Sequence, residues 1–419
     1  MKIQSRLAAL LAGVAIVAAA CGTGTATNAP STGPGATATP APVVTPMPIA
    51  GKIVIWHSYG SSGGGADSAE VQALNKILAA MKVKFHDLTI ESINVAFSAL
   101  YKDFEAESGA GGGPDMFIAP NDNLGAESRD GYLADLTGLI DDTLAASSPV
   151  SGSGSMVAGK VYMVPESLKA VAMYYDSKKV ATPPATMADL LAYVKAGGKV
   201  GVIDGAYFGW GFYSAFGGSI FDANGKCAAT ATKGVADAID FVKQLKAAGA
   251  MVDSNYGNIN NAFISGKIDI MFNGNWALGD YKKARPGLAV GPMPAGPSGV
   301  AKTMAGVDGW YINPSGKHID LAIAVAKEMV AVANEQFMVD IAGHVPANTA
   351  AVVTDPLVKG FAAAILAGDP RPQTPEFNNY WGAFGDAWTK AIPDDGSAGG
   401  DITALVAGAC TAMDTANKK

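Results

Sequence analysis

KIVIWHSYGSSGGGADSAEVQALNKILAAM, Lys52–Met81, contains a complete strand, loop and helix. Its first five residues are β-branched or aromatic around a single lysine, the composition of a buried strand. SYGSSGGGADS then supplies a glycine-rich loop, and either Asp67 or Ser68 is placed to cap a helix. Val71, Leu74, Leu78 and Met81 recur at three- and four-residue spacing, which gives that helix one apolar face. The same alternation continues. Leu88–Val95 reads as a strand, Phe97–Ser108 as a helix, and GGGPDMFIAP turns into a strand over Asp115–Ala119. Strand–helix–strand order predicts an α/β sheet with mostly parallel strands.

A second set follows. Val161–Val164, Ala170–Tyr175, Lys199–Ile203 and Ile268–Phe272 read as strands. Met187–Lys195, Lys233–Ala248, Asn260–Ser265, Ile319–Ala333, Phe361–Leu366 and Tyr380–Ile392 read as helices. With 419 residues, 49% of them apolar, the chain has material for two domains and their cores. No repeat of fixed period runs through it.

The N-terminus has secretory proportions. Lys2 and Arg6 precede an unbroken apolar run, Leu7–Ala20, which is too short to span a membrane comfortably. Small residues Ala18–Ala20 then stand directly before Cys21, so residues 1–20 resemble a bacterial lipoprotein signal peptide and Cys21 its acylation site. Residues 21–50 hold no charge and no aromatic ring, the composition of a disordered tether. Two cysteines remain, Cys227 and Cys410. In an exported protein they form a disulfide or sit as two buried thiols.

Several chemistries are excluded on motif grounds. A net charge of −7 without a basic block argues against nucleic acid. The four histidines, His57, His86, His318 and His344, pair with no cysteine or histidine at metal-ligand spacing, so neither metal nor cofactor is expected. The Gly63–Gly65 loop lacks the Lys-Ser/Thr of a phosphate loop, and no G-x-S-x-G elbow occurs.

What the chain has in excess is aromatic rings beside glycine and small polar residues. GAYFGWGFYSAFGG, Gly205–Gly218, is the densest case; WHSY at Trp56, NGNW at Asn273, GWY at Gly309 and NNYW at Asn378 are others. Core packing accounts for any one of them. Together they fit a sugar site, where flat rings take the apolar face of a pyranose and Asp, Asn or backbone groups take its hydroxyls.

Five collinear segments resemble the extracellular sugar-binding proteins of ABC importers, most closely the maltose/maltodextrin branch. They are GGGPDMFIAPNDNLGAESRDGYLADL, VPESLKAVAMYYDSKKV, GKIDIMFNGNWAL, HVPANTAAV and NNYWGAF, and the likeness runs from about Lys52 to the C-terminus. It implies an α/β, two-lobed periplasmic-binding-protein-like fold (type II) with the ligand cleft between lobes. Residues 51–165 with 303–345 would form the N-terminal lobe, and 166–302 with 346–419 the C-terminal lobe. The implied function is non-enzymatic: capture of a maltose-like or other neutral oligosaccharide or disaccharide by cleft closure. Delivery would be to membrane permease subunits, by a monomer held through its N-terminal lipid.

The resemblance also implies site residues. Asp122 falls on a cleft aspartate, with Asn123 where close maltose binders carry arginine. Tyr207 falls on a stacking tyrosine, Trp276 and Trp381 on stacking tryptophans, and Tyr256 on a cleft tyrosine. Lys169 and Gly205 replace glutamates, and Ala119 replaces a tryptophan. Ser58, Tyr59, Asp308 and Trp310 are further lining candidates. Two other readings stay open: a membrane-tethered glycoside hydrolase, which needs two carboxylates at the scissile bond, and a surface adhesion protein without ligand-induced closure.

Overall fold

The computed structural model describes residues 48–62 and 65–419. The expected signal peptide, Cys21 and most of the expected tether lie outside them. None of the described helices is long and apolar enough to cross a membrane.

The opening segment forms strand β1, Gly51–His57, and a helix over Ala69–Lys84 whose first turn is capped by Ser68 Oγ, which accepts from Val71 N at 3.2 Å. The buried face of this helix is Ala73, Leu74, Ile77 and Met81, while Val71 and Leu78 are half-buried. Small Ala69 and Ala73 let the helix lie on that side, so the stripe is rotated from the expected one. The remaining strands are β2 Leu88–Asn94, β3 Met116–Pro120, β4 Met156–Val157, β5 Lys160–Val161, β6 Val164–Lys169 and β7 Val171–Asp176. They continue with β8 Val200–Ile203, β9 Met251–Asp253, β10 Ile270–Gly274, β11 Leu288–Gly291, β12 Met304–Ile312, β13 Val345–Pro346 and β14 Asp369–Pro370.

Two large sheets result. The first has the order β13-β6-β12-β3-β1-β2, with β14 also on β12; the second is β11-β7-β10-β8-β9. Strands joined through helices are parallel, as in β1 with β2 and β3, or β8 with β9 and β10. The expectation of mostly parallel order fails at the strands that link the sheets. β12 runs against β3 and β6, and β7 runs against β10 and β11. A strand arriving from the other sheet has no crossover helix to return it to the same end, so nothing imposes the parallel sense.

The first link is short: β6 ends at Lys169 in the first sheet, β7 begins at Val171 in the second, and only Ala170 lies between. The chain returns to the first sheet at β12 and still pairs there at β13. One core cluster lies around Ile53, Ile55 and Leu74 on the first sheet, another around Val200, Val242 and Trp388 on the second. A third, with Phe117, Tyr311, Tyr174 and Phe361, draws residues from both.

Two helical expectations change. Ile319–Ala333 is divided into Ile319–Met329 and Val332–Phe337, with Ala331 extended between them. At the break Glu328 O accepts from Ala331 N at 3.1 Å and from Asn334 Nδ2 at 2.8 Å. A final helix, Ile402–Asn417, escaped sequence reading; Asp401 Oδ1 caps it by accepting from Thr403 N and Ala404 N.

Cys227 and Cys410 are joined in a disulfide across 183 residues of sequence, and Cys227 N donates to Asp414 Oδ1 at 2.9 Å. This fastens the last helix to the segment before helix Gly234–Ala248. Beside the first link, His344 is fully buried between Glu70, at 2.9 Å from Nε2, and Glu166, at 3.5 Å from Nδ1. Burial opposes the imidazolium, but the Glu166 and Glu70 carboxylates more than offset it and raise its pKa to about 9.

Replacing both cysteines by serine should lower stability by about 2–4 kcal/mol, the usual effect of closing a long loop. Thermal unfolding with and without reductant reads the loss, and an unchanged midpoint counts against the bridge. His344 binds its proton more tightly folded than unfolded. Its contribution is therefore complete below about pH 6.5 and is lost as the pH rises through about 9. Denaturant midpoints should fall across that interval, and His344→Gln should flatten the fall.

Candidate ligand cleft

A cavity of about 660 Å³ opens where the two sheets meet. Its second-sheet wall is made of rings. Tyr207 and Phe208 stand in the first turn of helix Ala206–Ala215, Tyr256 in the first turn of helix Tyr256–Ile264, Trp276 just after β10, and Trp381 on helix Asn378–Ala391. Tyr207 lies 5.8 Å from Trp276, 6.3 Å from Trp381 and 5.3 Å from Phe208, centroid to centroid. The rings thus form a continuous panel rather than isolated platforms.

The NGNW segment shows how one panel member is held. Trp276 Nε1 donates to Tyr256 OH at 3.2 Å, and Asn273 Nδ2 donates to the same oxygen at 3.2 Å. Asn273 is fully buried and also donates to Tyr281 OH at 2.7 Å, which in turn donates to Asn260. Trp276 folds back over Gly274, where a Cβ would come within 1.9 Å of the indole; glycine is required there by contact. Asn275 Nδ2 reaches the other sheet's strand and donates to Leu168 O at 3.0 Å.

The opposite wall is polar. Ser58 and Tyr59 follow β1, while Ala119, Asp122 and Asn123 come from the end of β3 and the turn after it. At the base, Lys169 pairs with Asp308 and lies 3.9 Å from Glu70 Oε1, with its Nζ 5.5 Å from the Trp276 ring. Burial works against the ammonium, yet Asp308 and Glu70 hold its pKa above that of an ordinary lysine. Arg371 pairs with Asp122, donates to Asn121 Oδ1 at 3.0 Å, and lies 5.5 Å from the Tyr207 ring. Burial raises the Asp122 pKa, with Arg371 pulling the other way. Burial also pushes the Tyr207 phenol up to about 12, so it stays a neutral donor and acceptor at physiological pH.

Ser58 Oγ, Asn123 Oδ1, Asp308 Oδ1 and Trp381 Nε1 are buried at this cavity without a hydrogen-bond partner. Such atoms cost about 1–3 kcal/mol each when unsatisfied. With flat apolar rings opposite, the arrangement suits a ligand that has an apolar face and a rim of hydroxyls.

The structure gathers Ser58, Tyr59, Asp122, Asn123, Lys169, Tyr207, Tyr256, Trp276, Asp308 and Trp381 around one space. Trp310 is not among them, and its proposed lining role is corrected. Pairing of β12 with β3 is continuous from Asp308 to Ile312, so Trp310 shares Asp308's face of the strand, but it lies two residues further into the sheet and packs in the core with Ile53 and Ile55, 2% exposed. Helix Ala206–Ala215 takes in Tyr207, Phe208 and Trp210 of the aromatic stretch together with Phe212 and Tyr213.

Sequence reading missed Arg371 and Glu70. Arg371 had one usable signal: the chain contains only four arginines, at 6, 129, 285 and 371, and this one is flanked by prolines. Glu70 had none, because an acid in a first helical turn reads as an ordinary dipole partner. Among the described residues no group of three or more His, Cys, Asp or Glu side chains is placed to hold a metal ion.

Residues 76–364 match the family described as bacterial extracellular solute-binding protein. Over 347 residues the chain is 24% identical to the maltodextrin-binding protein MdxE of Bacillus subtilis, covering 74% of this chain and 81% of that one. It is also 24% identical over 397 residues to a galactooligosaccharide-binding protein of the same organism, covering 89% and 88%. Among solved structures, the Thermus thermophilus maltotriose binding protein bound with maltotriose superposes with a TM-score of 0.78 at 26% identity, over 87% of this chain and all of that one. The two-lobed architecture and the extent of the family match agree: this chain belongs to the bacterial extracellular solute-binding proteins.

Proposed function

We propose that the chain captures a neutral oligosaccharide in this cleft and presents it to the membrane subunits of an ABC importer, without transforming it. The observation that carries this reading is the facing of two unlike walls: a ring panel on the second sheet and, on the first, the unsatisfied polar atoms of Ser58, Asn123 and Asp308. A sugar engages both only when they are close, so binding favours the closed arrangement of the lobes. The charges favour an uncharged sugar. Lys169 and Arg371 are already paired with Asp308 and Asp122, and Glu70 adds a further carboxylate. A uronate would bring negative charge to a base with no spare cation. Similar proteins named for maltodextrin and maltotriose make an α-glucan the first candidate, and the galactooligosaccharide relative sets the runner-up.

The lobe assignment adopted is the one drawn from the sequence, with its first boundary moved from 165/166 to Ala170, since β6 pairs within the first sheet as far as Lys169. Cys21 is proposed as the lipid-bearing residue, with residues 21–50 as the tether and the folded part acting as a monomer. Cys21 replaced by serine should release the protein from membranes; retention in the membrane fraction would overturn the anchor.

Calorimetry of Pro48–Lys419 against α-glucans, galactooligosaccharides and a uronide panel tests the ligand class. Stoichiometric binding of a neutral oligosaccharide, with a fall in radius of gyration by small-angle scattering, is the expected result. Turnover of the sugar would instead favour a hydrolase. Trp276→Ala and Trp381→Ala should each weaken binding by about 1–3 kcal/mol, or roughly five- to 150-fold. Their thermal midpoints should stay near the parent's. A variant that unfolds shows that its ring serves the core.

A further inference from the structure

Among the described residues, nine large apolar side chains are exposed, and Phe97 is the single aromatic one and the single one lining the cleft. It is 44% exposed, whereas Tyr59 is buried and Tyr101 donates its hydroxyl inward to Pro120 O. The position is fixed. Phe97 N donates to Ser61 Oγ at 3.1 Å, and Gly60 N donates to Asn94 Oδ1 at 3.2 Å, which ties the loop after β1 to the turn after β2. The Tyr101 ring stands edge-on to it at 6.4 Å and 77°. Around it the mouth presents Ser58, Ser61 and Ser98. The inner rings, Tyr207, Trp276 and Trp381, are all on the opposite wall. On Phe97's own wall, β3 offers Ala119 instead of a ring.

We propose that Phe97 is the platform of an outer subsite. It takes the apolar face of a further sugar unit beyond those held on the inner panel, and the serine hydroxyls engage that unit's edge. The preferred ligand is then an oligosaccharide of three or more units, and a disaccharide leaves this subsite unused. The inference rests on the sugar-capture reading.

Calorimetry of the full chain in mild detergent with a di-, tri- and tetrasaccharide of one linkage tests it. The dissociation constant should tighten about fivefold or more with length. Phe97→Ala should weaken the tetrasaccharide about five- to tenfold and the disaccharide less than twofold. Phe97→Trp should keep the length preference, and thermal unfolding should show all variants folded, as suits an exposed side chain. Equal effects of Phe97→Ala at every length, or no effect at any, overturn the subsite while leaving sugar capture in place. Failure of the parent chain to bind any of the panel's neutral oligosaccharides overturns both.

Discussion

The ion pair between Lys169 and Asp308 sits where the architecture has least freedom. Lys169 is the last residue of β6 before the chain crosses to the second sheet, and Asp308 lies on the neighbouring strand β12. Glu70 approaches the same ammonium and also accepts from the buried ring of His344, which faces Glu166 on its other side. Four chain segments distant in sequence converge on this knot. Buried charges are tolerated only when paired, and removing one partner strands the others at a cost of about 3–5 kcal/mol. The knot therefore fixes the link, and both cleft walls start from the link. A hydrophobic substitute could supply stability but would leave the base of a sugar cleft without polar groups.

From that base the two walls are built by different means. The polar wall uses strand ends and the turns after them, which deliver Ser58, Asp122 and Asn123 at the edge of the first sheet. The ring wall uses helix starts backed by a buried amide network. Asn273 holds Tyr256 and Tyr281, Tyr256 holds the Trp276 indole, and Asn275 fastens the same segment to Leu168 beside the knot. Preorganisation of this sort reduces the ordering cost of binding, so unsatisfied atoms can be concentrated on the side that must receive hydroxyls.

Local chemistry was legible in the sequence, and long-range geometry was not. Met187–Lys195 forms as read, because Thr186 and Asp189 make a reciprocal cap that depends on neighbours alone. The antiparallel sense of the linking strands depends on where the chain has come from, which no local pattern states. Trp310 looked like a cleft ring because it is two residues from Asp308, and strand alternation places such residues on one face. Trp310 does share that face, but it lies two residues further into the sheet, in the core with Ile53 and Ile55, and nothing in GVDGWY marks where along the strand the cleft ends. Arg371 could not be joined to Asp122 from sequence, since their pairing spans most of the folded chain. The family likeness collected most of the cleft residues because it carries such distant relations ready-made, but it does not say what Lys169 or Ala119 does in place of the family's residue.

The stretch GAYFGWGFYSAFGG shows how the cleft and the core share one element. Tyr207 and Phe208 reach the cavity from the helix's first turn, while Phe212 and Tyr213 are buried in the second-sheet core. Gly209 lies against the Trp388 indole, where a Cβ would come within 2.4 Å, and Gly211 is similarly close to Met293. That contact draws in helix Asn378–Ala391, which carries Trp388 in the core and Trp381 on the cleft. Trp388 Nε1 donates to Tyr213 OH, and Tyr380 OH donates to Ala206 O at 2.6 Å. The spacing between the Tyr207 and Trp381 rings is therefore set by core contacts behind them. Glycine at 209 is demanded by the fold, yet enlarging it would act on the cleft by pushing the two helices apart. The disulfide at Cys410 extends the same logic, since it ties down the last helix, which packs on helix Asn378–Ala391 and adds Val406 and Met413 to the shared core.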